Sequence, residues 1–554
     1  MALTAAFRSL ALPACLACAT TLVVARPADA QGVATAPTAA SDAAARWFSH
    51  VEVLADDSMR GRETGSAEHV KAAEYVAAKF KAAGVTPGAA GSYFQPVAFT
   101  SRTIDESRSS LTLVVDGKPT PVVLGEQAYF GLRLAPAPSV DAGLVFGGNC
   151  LQVPEIGLDD FSGLDLKGKV VVCIAGSPTN VPGALSAHYQ SAWVRADALR
   201  RLGAVGLIAI PNPKSTDVPW SRSSASRLNA SMTLANPALG DANGMQVSLT
   251  WNPAHADALL VGTGHTVASL MALVDARQPL PHFPLAPTLR ATIAVNAQKI
   301  ESPNVVGLVK GSDPKLAGEY FVLTAHLDHL GVGAAVNGDA IYNGAMDNAS
   351  GIATLIETAA TVAAAKPKRS VLFVAVTAEE KGLLGSRYFA TNPTVPRAAI
   401  VANLNMDMFL PLYPLKTLMV LGLDESELGD DVRAVAKERG LAVQPDLQPQ
   451  RNRFVRSDQY SFIREGIPAL AMKVGFEPDS PEALIDAAWT RDRYHAPSDD
   501  LQQPIDRSAA VGFTEVVGQL ALRIANRDTR PAWKPESFFK RFVHTGASAP
   551  SAAH

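Results

Sequence analysis

The chain has 554 residues, which is too long for a single hydrophobic core and predicts two or more domains. Hydrophobic residues make up 47% of the chain and charged residues 18%, as in ordinary globular proteins. The formal net charge of -3 lacks the basic excess that nucleic-acid and membrane-surface binding use, so we expect neither partner.

Residues 1–30 have the layout of a secretory signal peptide. Arg8 precedes an apolar stretch, and an A-x-A cleavage motif ends at Ala30. The apolar run is short for a membrane span, so an uncleaved anchor is the weaker interpretation. Neither Cys15 nor Cys18 lies in a good lipobox, which makes a lipoprotein less favoured. We therefore expect an exported protein, periplasmic or secreted, without stable membrane insertion after removal of the signal.

Only two cysteines follow the predicted signal peptide, Cys150 and Cys173. In an exported protein such a pair can form a disulfide, and it can equally remain as two unpaired thiols. The sequence gives no distance between them, so both alternatives stay open.

The first predicted structural segment covers residues 31–138 and contains a well-delimited helix. Ser66 is a plausible N-cap and Gly84 a plausible stop signal. Between them, apolar residues such as Val76 and Phe80 recur at helical spacing.

Residues 139–283 differ in character from what precedes them. The stretches AGLVFGGN, KGKVVVCIAG and AVGLIAI are short β-runs separated by Gly-rich turns and one helix, which predicts a compact β-rich insert. The Pro-rich stretch PLPHFPLAP at 279–287 is predicted to be a linker.

From residue 284 to 542, strand-like and helical segments alternate. This alternation predicts a largely parallel α/β sheet that is covered by helices on both faces. The Ala/Ser/Pro-rich tail at 543–554 is predicted to be disordered.

Five loops beyond predicted strands carry imidazoles and carboxylates. They are FVLTAHLDH with His326 and Asp328, NGAMDNASG with Asp347, VTAEEKG with Glu379 and Glu380, VANLNMDM with Asp407, and RYHAPSDD with His495. Ligands of open α/β sheets bind outside the carboxyl ends of the strands, so these loops should meet at one crevice. Two histidines and three carboxylates suit two divalent metals if one carboxylate bridges. Nitrogen and oxygen donors fit zinc, with cobalt or manganese as substitutes.

Together and in this order, these motifs resemble the M28 family of zinc aminopeptidases and carboxypeptidases. The early segment LADDSMRGRETGSAEHVKAAEYVAAKFKAAGVTP resembles the family's N-terminal helical region, and residues 139–283 resemble a protease-associated (PA) domain. The resemblance implies a zinc-dependent exopeptidase fold, with a mostly parallel central sheet flanked by helices. Residues 31–138 and 284–542 would then form the peptidase domain around an inserted PA-like domain.

The resemblance also implies a ligand set for two zinc ions per chain. His326 and Asp407 would bind one zinc ion, Glu380 and His495 the other, and Asp347 would bridge them. A cis peptide bond between Asp347 and Asn348 is part of the same expectation.

Four further roles are carried over from the family. Glu379 would be the general base, which takes a proton from a water bridging the metals and passes it to the leaving amine. Asp328 would orient His326, and Tyr494 would hydrogen-bond the developing oxyanion. Arg456 matches an arginine near the substrate pocket.

One position departs from the family pattern. Many relatives carry Asp where Met346 stands, which makes the local charge of this chain less negative.

Three functions remain open. The first is an exported aminopeptidase that acts on peptides. The second is a carboxypeptidase, for which Arg451, Arg453 and Arg456 in PQRNRFVRS supply a basic cluster suited to a C-terminal carboxylate. The third is an inactive binding protein, which would be expected to lack ligands or the base, and none is missing here. Side-chain preference, the native metal and the oligomeric state stay undetermined.

Several polar residues receive structural interpretations. His265, His282 and His329 are interpreted as hydrogen-bonded loop residues, since metal sites are scarce. Arg60 and Arg62 are interpreted as structural ion-pair partners, and Asp499 and Asp500 as a helix N-cap pair.

Overall fold

The computed structural model describes residues 39–543 except Thr179 and Ser215. The predicted signal peptide and nearly all of the predicted disordered tail lie outside the described residues. The helices are α1 (Ala39–Leu54), α2 (Ala67–Ala82), α3 (Gly183–Gln190), α4 (Ala192–Arg201), α5 (Trp220–Ala225), α6 (Val267–Asp275), α7 (Ser350–Ala365), α8 (Leu384–Thr391), α9 (Leu428–Glu438), α10 (Gln459–Ile463), α11 (Pro481–Asp492) and α12 (Arg507–Asn526). No helix within the described ranges is long and apolar enough to span a membrane.

The strands fall into two large sheets and two small hairpins. They are β1 (Thr86–Pro87), β2 (Phe94–Ile104), β3 (Ser110–Val115), β4 (Lys118–Pro121), β5 (Ala128–Phe130), β6 (Ser139–Phe146), β7 (Gln152–Val153), β8 (Leu158–Asp159), β9 (Val170–Ile174), β10 (Gly206–Ile210), β11 (Ser231–Leu234), β12 (Val247–Trp251), β13 (Phe283–Thr292), β14 (Val295–Val309), β15 (Tyr320–His326), β16 (Gly331–Val336), β17 (Asp339–Tyr342), β18 (Ser370–Val376), β19 (Ile400–Asn405), β20 (Thr417–Leu421), β21 (Ala442–Pro445) and β22 (Ala469–Val474).

The first sheet has the strand order β11-β2-β14-β18-β15-β19-β22-β20-β21, with β1 attached to β14. Its centre, β18-β15-β19-β22, is parallel. The neighbouring pairs β14–β18 and β20–β22 are antiparallel. The predicted α/β class is confirmed, and parallel pairs occur at the centre of the sheet and at the edge pair β20–β21.

Helices cover both faces of this centre. Strand β18 is buried at every position, as expected of a parallel strand enclosed on both sides. The helices α1, α2, α7, α9 and α12 contribute to the apolar core on one face, and α8 and α10 contribute to the core on the other. The N-terminal segment therefore rejoins the later α/β sheet, because α1, α2 and β2 all pack on or within it.

Helix α2 begins where the sequence predicts. The Ser66 hydroxyl accepts a hydrogen bond from the backbone N–H of His69 at 3.0 Å, which caps the first turn. The apolar positions Val76 and Phe80 are fully buried against the sheet.

The second sheet has the order β4-β3-β13-β6-β9-β10-β12-β5. It takes strands from Ser110 to Thr292, so it begins earlier and ends later than the predicted insert of 139–283. Strand β11 belongs to the first sheet, where it pairs with β2. We call residues 110–292 the second-sheet region. Its assignment as a PA-like domain stays a prediction.

The predicted linker at 279–287 is wrong in its second half. Strand β13 begins at Phe283, and Leu285, Leu289 and Ala291 are buried in alternation with exposed neighbours. The prolines mislead because they sit where β13 departs from regular pairing with β6, between Pro284 and Thr288. A proline is tolerated at such an irregularity, since it has no N–H to donate.

Cys150 and Cys173 form a disulfide, with the two Cα atoms 5.6 Å apart. This resolves the alternative that the sequence left open. The bond joins the loop after β6 to strand β9 inside the second-sheet region.

Candidate metal centre and active site

The five predicted ligands meet at the carboxyl ends of the parallel strands. Oδ1 of Asp347 lies 3.1 Å from Nε2 of His326, and Oδ2 of Asp347 lies 3.3 Å from Nε2 of His495. The same nitrogen of His326 lies 3.3 Å from Oδ1 of Asp407, and that of His495 lies 3.2 Å from Oε2 of Glu380. Asp347 therefore joins two groups of potential ligands with its two oxygens.

His329 also belongs to this centre, which the sequence interpretation missed. Its side chain is fully buried, and its Nδ1 lies 2.7 Å from Oε1 of Glu380 and 3.9 Å from Oδ2 of Asp347. The sequence interpretation gave His329 a structural role in a loop, and the structure adds that its ring lies beside two of the predicted ligands. Its spacing in HLDH, three residues after His326, was the available signal.

The charges at this centre are strongly perturbed. Burial alone would lower the pKa of His326, but the charges of Asp407 and Glu379 outweigh burial and raise that pKa well above its usual range. Burial likewise opposes the charged form of His495, yet Glu380 and Asp347 raise its pKa to about 10. Without a metal, the histidines supply the positive charge that the carboxylates need.

The donor set fits divalent metal ions. Among the described residues, His326, Asp347 and Asp407 form one group whose ligand atoms lie within 4.8 Å of one another, and His329, Asp347 and Glu380 form another. Imidazole nitrogens and carboxylate oxygens are ligands that zinc accepts. Zinc binding would release protons from the histidines, because ligands must be deprotonated.

Glu379 is placed differently from its neighbour. Burial, together with the charges of Asp407, Glu380 and Asp458, raises the pKa of its carboxyl well above the usual range, although His326 opposes this. Glu379 makes no ion pair within the described part of the chain, whereas Glu380 contacts His329 and His495. The two glutamates after β18 therefore differ: the Glu379 carboxyl has no ion-pair partner among the described residues, and the Glu380 carboxylate contacts two histidines.

Asp328 acts on different groups from those predicted. Its backbone carbonyl, and not its carboxylate, lies 3.0 Å from Nδ1 of His326. The carboxylate instead accepts hydrogen bonds from the backbone N–H groups of Glu379 at 3.0 Å and Glu380 at 3.3 Å. It also accepts one from the Thr64 hydroxyl at 3.1 Å. The expected orientation of His326 is thus made by the main chain.

Asp499 holds the backbone at Asp347. Its carboxylate accepts hydrogen bonds from the N–H groups of Met346 at 2.9 Å and Asp347 at 3.0 Å. The helix cap predicted at this position is wrong, since α12 begins later and is capped by Asp506. The peptide bond between Asp347 and Asn348 is cis, as the family resemblance implied.

Arg62 is a fully buried cation behind the centre. Its guanidinium donates hydrogen bonds to the carbonyls of Leu327, Asn343 and Gly344 at 2.7–3.0 Å. It forms no ion pair with any described residue, so the predicted ion-pair role is wrong. Burial lowers its pKa to about 10, although the charges of Asp499 and other nearby carboxylates oppose this shift. Arg62 thus ties the N-terminal segment to two metal-site loops.

Tyr494 and Arg456 lie beside the centre. The ring of Tyr494 stacks on that of His495, with centroids 3.9 Å apart, and its carbonyl accepts a hydrogen bond from Arg222 of α5 at 2.8 Å. Nη1 of Arg456 lies 2.8 Å from Oδ2 of Asp217, an acidic residue of the second-sheet region. Both contacts join this region to the metal centre.

A cavity of about 690 Å³ opens beside these residues. Glu379, Glu380, Tyr494 and His495 line it, together with side chains of the second-sheet region such as Asp217. The cavity is large enough for a short peptide and gives it access to both glutamates.

Comparison with known proteins finds a family match in the second half of the chain. Residues 304–521 match the model of Peptidase family M28. Over 106 residues the chain is 37% identical to a probable zinc metalloprotease of Pyrenophora teres f. teres, which covers 19% of this chain and 22% of that protein. Over 181 residues it is 30% identical to probable leucine aminopeptidase 2 of Aspergillus fumigatus, which covers 31% of this chain and 33% of the relative. The chain thus spans a third or less of the length of these curated relatives.

Solved structures that match most of the chain include a bacterial aminopeptidase. It is an aminopeptidase from Aneurinibacillus sp. strain AM-1, with a TM-score of 0.52 and 20% sequence identity, covering 88% of this chain and 95% of that one. At this identity the match shows that the two chains share a fold.

Proposed function

We propose that this chain is an exported zinc aminopeptidase that holds two metal ions and removes N-terminal residues from peptides, because residues 304–521 match the model of Peptidase family M28. The observation that carries the proposal is the position of Asp347. Its two oxygens face His326 and His495 on opposite sides, as a bridging carboxylate would.

The ligands divide into two sets around that carboxylate. His326 and Asp407 would hold one ion, and Glu380 and His495 the other, with His329 in contact with Glu380. When bound, zinc supplies a Lewis acid that polarises the scissile carbonyl and makes water more acidic. Cobalt and manganese are alternative occupants of the same donors.

Glu379 is the proposed general base. Its buried carboxyl carries no ion pair with a described residue and has a raised pKa, so it can accept a proton from the attacking water and donate it to the leaving amine. Asp328 holds the backbone of Glu379 in place through the hydrogen bond to its N–H group. The Tyr494 hydroxyl is the proposed donor to the oxyanion, since burial keeps its pKa well above the usual range and the proton on the oxygen.

The basic cluster that favours a carboxypeptidase surrounds a carboxylate of the protein itself. Arg451 and Arg456 both contact Asp217, whose own side chain is 5% exposed, and Arg453 approaches it at 3.9 Å. A carboxylate already occupies the centre of this cluster, which favours an aminopeptidase over a carboxypeptidase.

The proposal also includes export of the protein and a PA-like second-sheet region. The disulfide between Cys150 and Cys173 supports export, because disulfides persist in oxidising compartments. Detection of the mature N-terminus in periplasm or culture medium by mass spectrometry would test export.

The activity is tested with the purified, zinc-loaded protein. Hydrolysis of leucine p-nitroanilide and of a free-amine dipeptide, without hydrolysis of the N-acetylated dipeptide, is the expected result. Hydrolysis of only the N-acetylated dipeptide would favour the carboxypeptidase. No hydrolysis of any of the three, in a protein shown to contain zinc, would overturn the proposal.

A further inference from the structure

The cavity beside the candidate metal centre has a wall rich in cationic side chains. Apart from Glu379 and Glu380, the acidic residues that line it are Asp217 and Asp241. Against these stand Lys381 and the arginines Arg133, Arg195, Arg387, Arg451, Arg456 and Arg464. The wall therefore carries more positive than negative charge.

Most of these cations already have partners. Arg451 and Arg456 contact Asp217, and Arg464 lies 3.0 Å from Asp241. Lys381 lies 2.8 Å from a carboxylate oxygen of Glu63. Arg133 donates a hydrogen bond to the carbonyl of Glu380 at 2.9 Å. These groups are committed to protein contacts.

Two arginines differ from these cations in having a buried Nε–H group without a hydrogen-bond partner among the described residues. They are Arg195 on α4 and Arg387 on α8, and neither forms an ion pair with a carboxylate in the described ranges. Among the described residues, the Arg195 side chain donates to the carbonyl of Gln190, at 2.9 Å. Burial lowers the pKa of Arg387 to about 10; the charge of Arg464 acts in the same direction, and the charges of Asp241 and Glu465 oppose it. A buried guanidinium N–H without an acceptor costs free energy, and an anionic ligand would recover it.

Arg195 and Arg387 lie where a bound peptide substrate would contact them. Arg387 lies on the helix that follows the loop of Glu379 and Glu380, so the same segment carries the proposed base and this cation. Arg195, on α4 of the second-sheet region, lines the same cavity. A peptide whose N-terminus lies at the candidate metal centre would occupy the cavity that both arginines line.

We propose that Arg195 and Arg387 bind a carboxylate of the peptide substrate. They would therefore favour short peptides with a free C-terminus or peptides with an acidic side chain. This inference rests on the proposed aminopeptidase function. Guanidinium groups suit the role because they can donate paired hydrogen bonds to a carboxylate. The carboxylate can come from the C-terminus or from an Asp or Glu side chain. An extended peptide advances by roughly 3.3–3.6 Å per residue, so a C-terminal carboxylate would be recognised at a particular peptide length.

The test compares peptides that differ only in charge. Leucine peptides of two to five residues, Leu-(Ala)n, are assayed as free acids and as C-terminal amides. A second pair of amidated peptides carries Glu or Gln at one internal position. We expect kcat/KM to be about tenfold higher or more for the charged member of at least one pair, as a charge-assisted hydrogen bond implies. A preference in the first series would identify the C-terminal carboxylate as the bound group. A preference in the second series would identify a side-chain carboxylate.

The variants assign the preference to the two arginines. Arg195→Gln and Arg387→Gln should each reduce the ratio of charged to uncharged substrate, and Arg387→Lys should reduce it less. Arg201→Gln is the matched control on α4, because Arg201 is exposed and contacts Asp197 at 3.1 Å. It should leave the ratio unchanged. Equal kcat/KM within every pair, or a preference that survives both Gln substitutions, would overturn the inference.

Binding separates this inference from the proposed function. In a Glu379→Gln background, calorimetry can measure the Kd of each free acid and its amide without turnover. Tighter binding of the acid, lost in Arg387→Gln, would support the carboxylate site even if the wild-type protein hydrolysed no peptide. Equal Kd values for acid and amide at every length would refute the site, whatever the activity.

Discussion

Oδ1 of Asp328 accepts a hydrogen bond from the backbone N–H of Glu379 at 3.0 Å. Asp328 follows β15 and Glu379 follows β18, two neighbouring parallel strands, so this bond joins the ends of both. The second oxygen of Asp328 accepts from Glu380 and from Thr64. One buried carboxylate thus fixes the backbone from which the proposed base and a proposed ligand both project.

Asp328→Ala should therefore lower stability and kcat together. Two buried N–H groups would lose their acceptor, at a cost on the order of 2–4 kcal/mol in the free energy of unfolding. Asp328→Asn keeps one acceptor oxygen and should cost less. Thermal unfolding and steady-state kinetics at measured zinc content check both variants. If Asp328→Ala behaved like the wild-type protein, the backbone of the two glutamates would not depend on this carboxylate.

Glu379→Gln should abolish most peptide hydrolysis while leaving the metal content almost unchanged. The amide keeps the size of the side chain but cannot accept the proton, and general acid–base catalysis is worth about 10²–10⁴-fold. The loss should appear in kcat more than in KM, since the interaction matters mainly in the transition state.

Glu380→Gln is the matched comparison, because it removes a contact with His495 and His329 and should weaken one metal site. Metal analysis beside kinetics on leucine p-nitroanilide separates the two roles. A near-normal kcat in Glu379→Gln, or a metal loss equal to that of Glu380→Gln, would show that the roles are assigned wrongly.

The sequence predicted the convergence of the metal centre because its geometry follows from the sheet. Each predicted ligand lies in a loop or at a strand end on the same side of the fold, and parallel strands bring their carboxyl ends together. His326 ends β15 itself, so its place followed from the strand alone. His329 was missed because the chain leaves the strand before reaching it, and a loop residue has no periodicity from which its direction could be read.

The boundaries of the second sheet could not be predicted in the same way. Strands β3 and β4 precede the compositional change at residue 139, and β11 leaves this region to pair with β2. Pairing between strands far apart in sequence is set by the packing of both sheets. Local composition does not predict such pairing, and the prolines of β13 indicated a linker where the structure has a strand.

His329→Phe should weaken one metal site. The imidazole contacts Glu380 at 2.7 Å, and a phenyl ring would leave that carboxylate without this partner. Loss of a residue that orients a ligand typically costs about 10–100-fold in metal affinity. Zinc titration of the metal-free protein, with a competing chelator, should show one weakened site and one nearly unchanged.

His265→Phe provides the control, since His265 stacks on Phe283 in the second-sheet region, away from the five ligands. Two unchanged zinc affinities in His329→Phe would mean that this histidine only fills space beside Glu380.

His188→Gln should make the protein less sensitive to acid. His188, on α3, is buried, and its Nδ1 lies 2.9 Å from the hydroxyl of Tyr460. Burial, followed by the charge of Arg541, lowers its pKa to about 4 in the folded protein, against about 6.5 in an unfolded chain. Between these values the unfolded state binds a proton that the folded state does not. The stabilising contribution is therefore present above pH 6.5 and is lost as the pH falls toward 4, by about 3 kcal/mol.

The check is the free energy of unfolding, measured by urea denaturation from pH 7.5 to 4. Buried carboxylates also change this free energy, so the informative quantity is the difference between the wild-type and variant curves. The difference in the free energy of unfolding should become smaller as the pH falls, because only the wild-type protein loses the stabilising contribution linked to His188. A curve for His188→Gln that runs parallel to that of the wild-type protein would show that His188 takes up its proton in the folded protein as readily as in the unfolded chain.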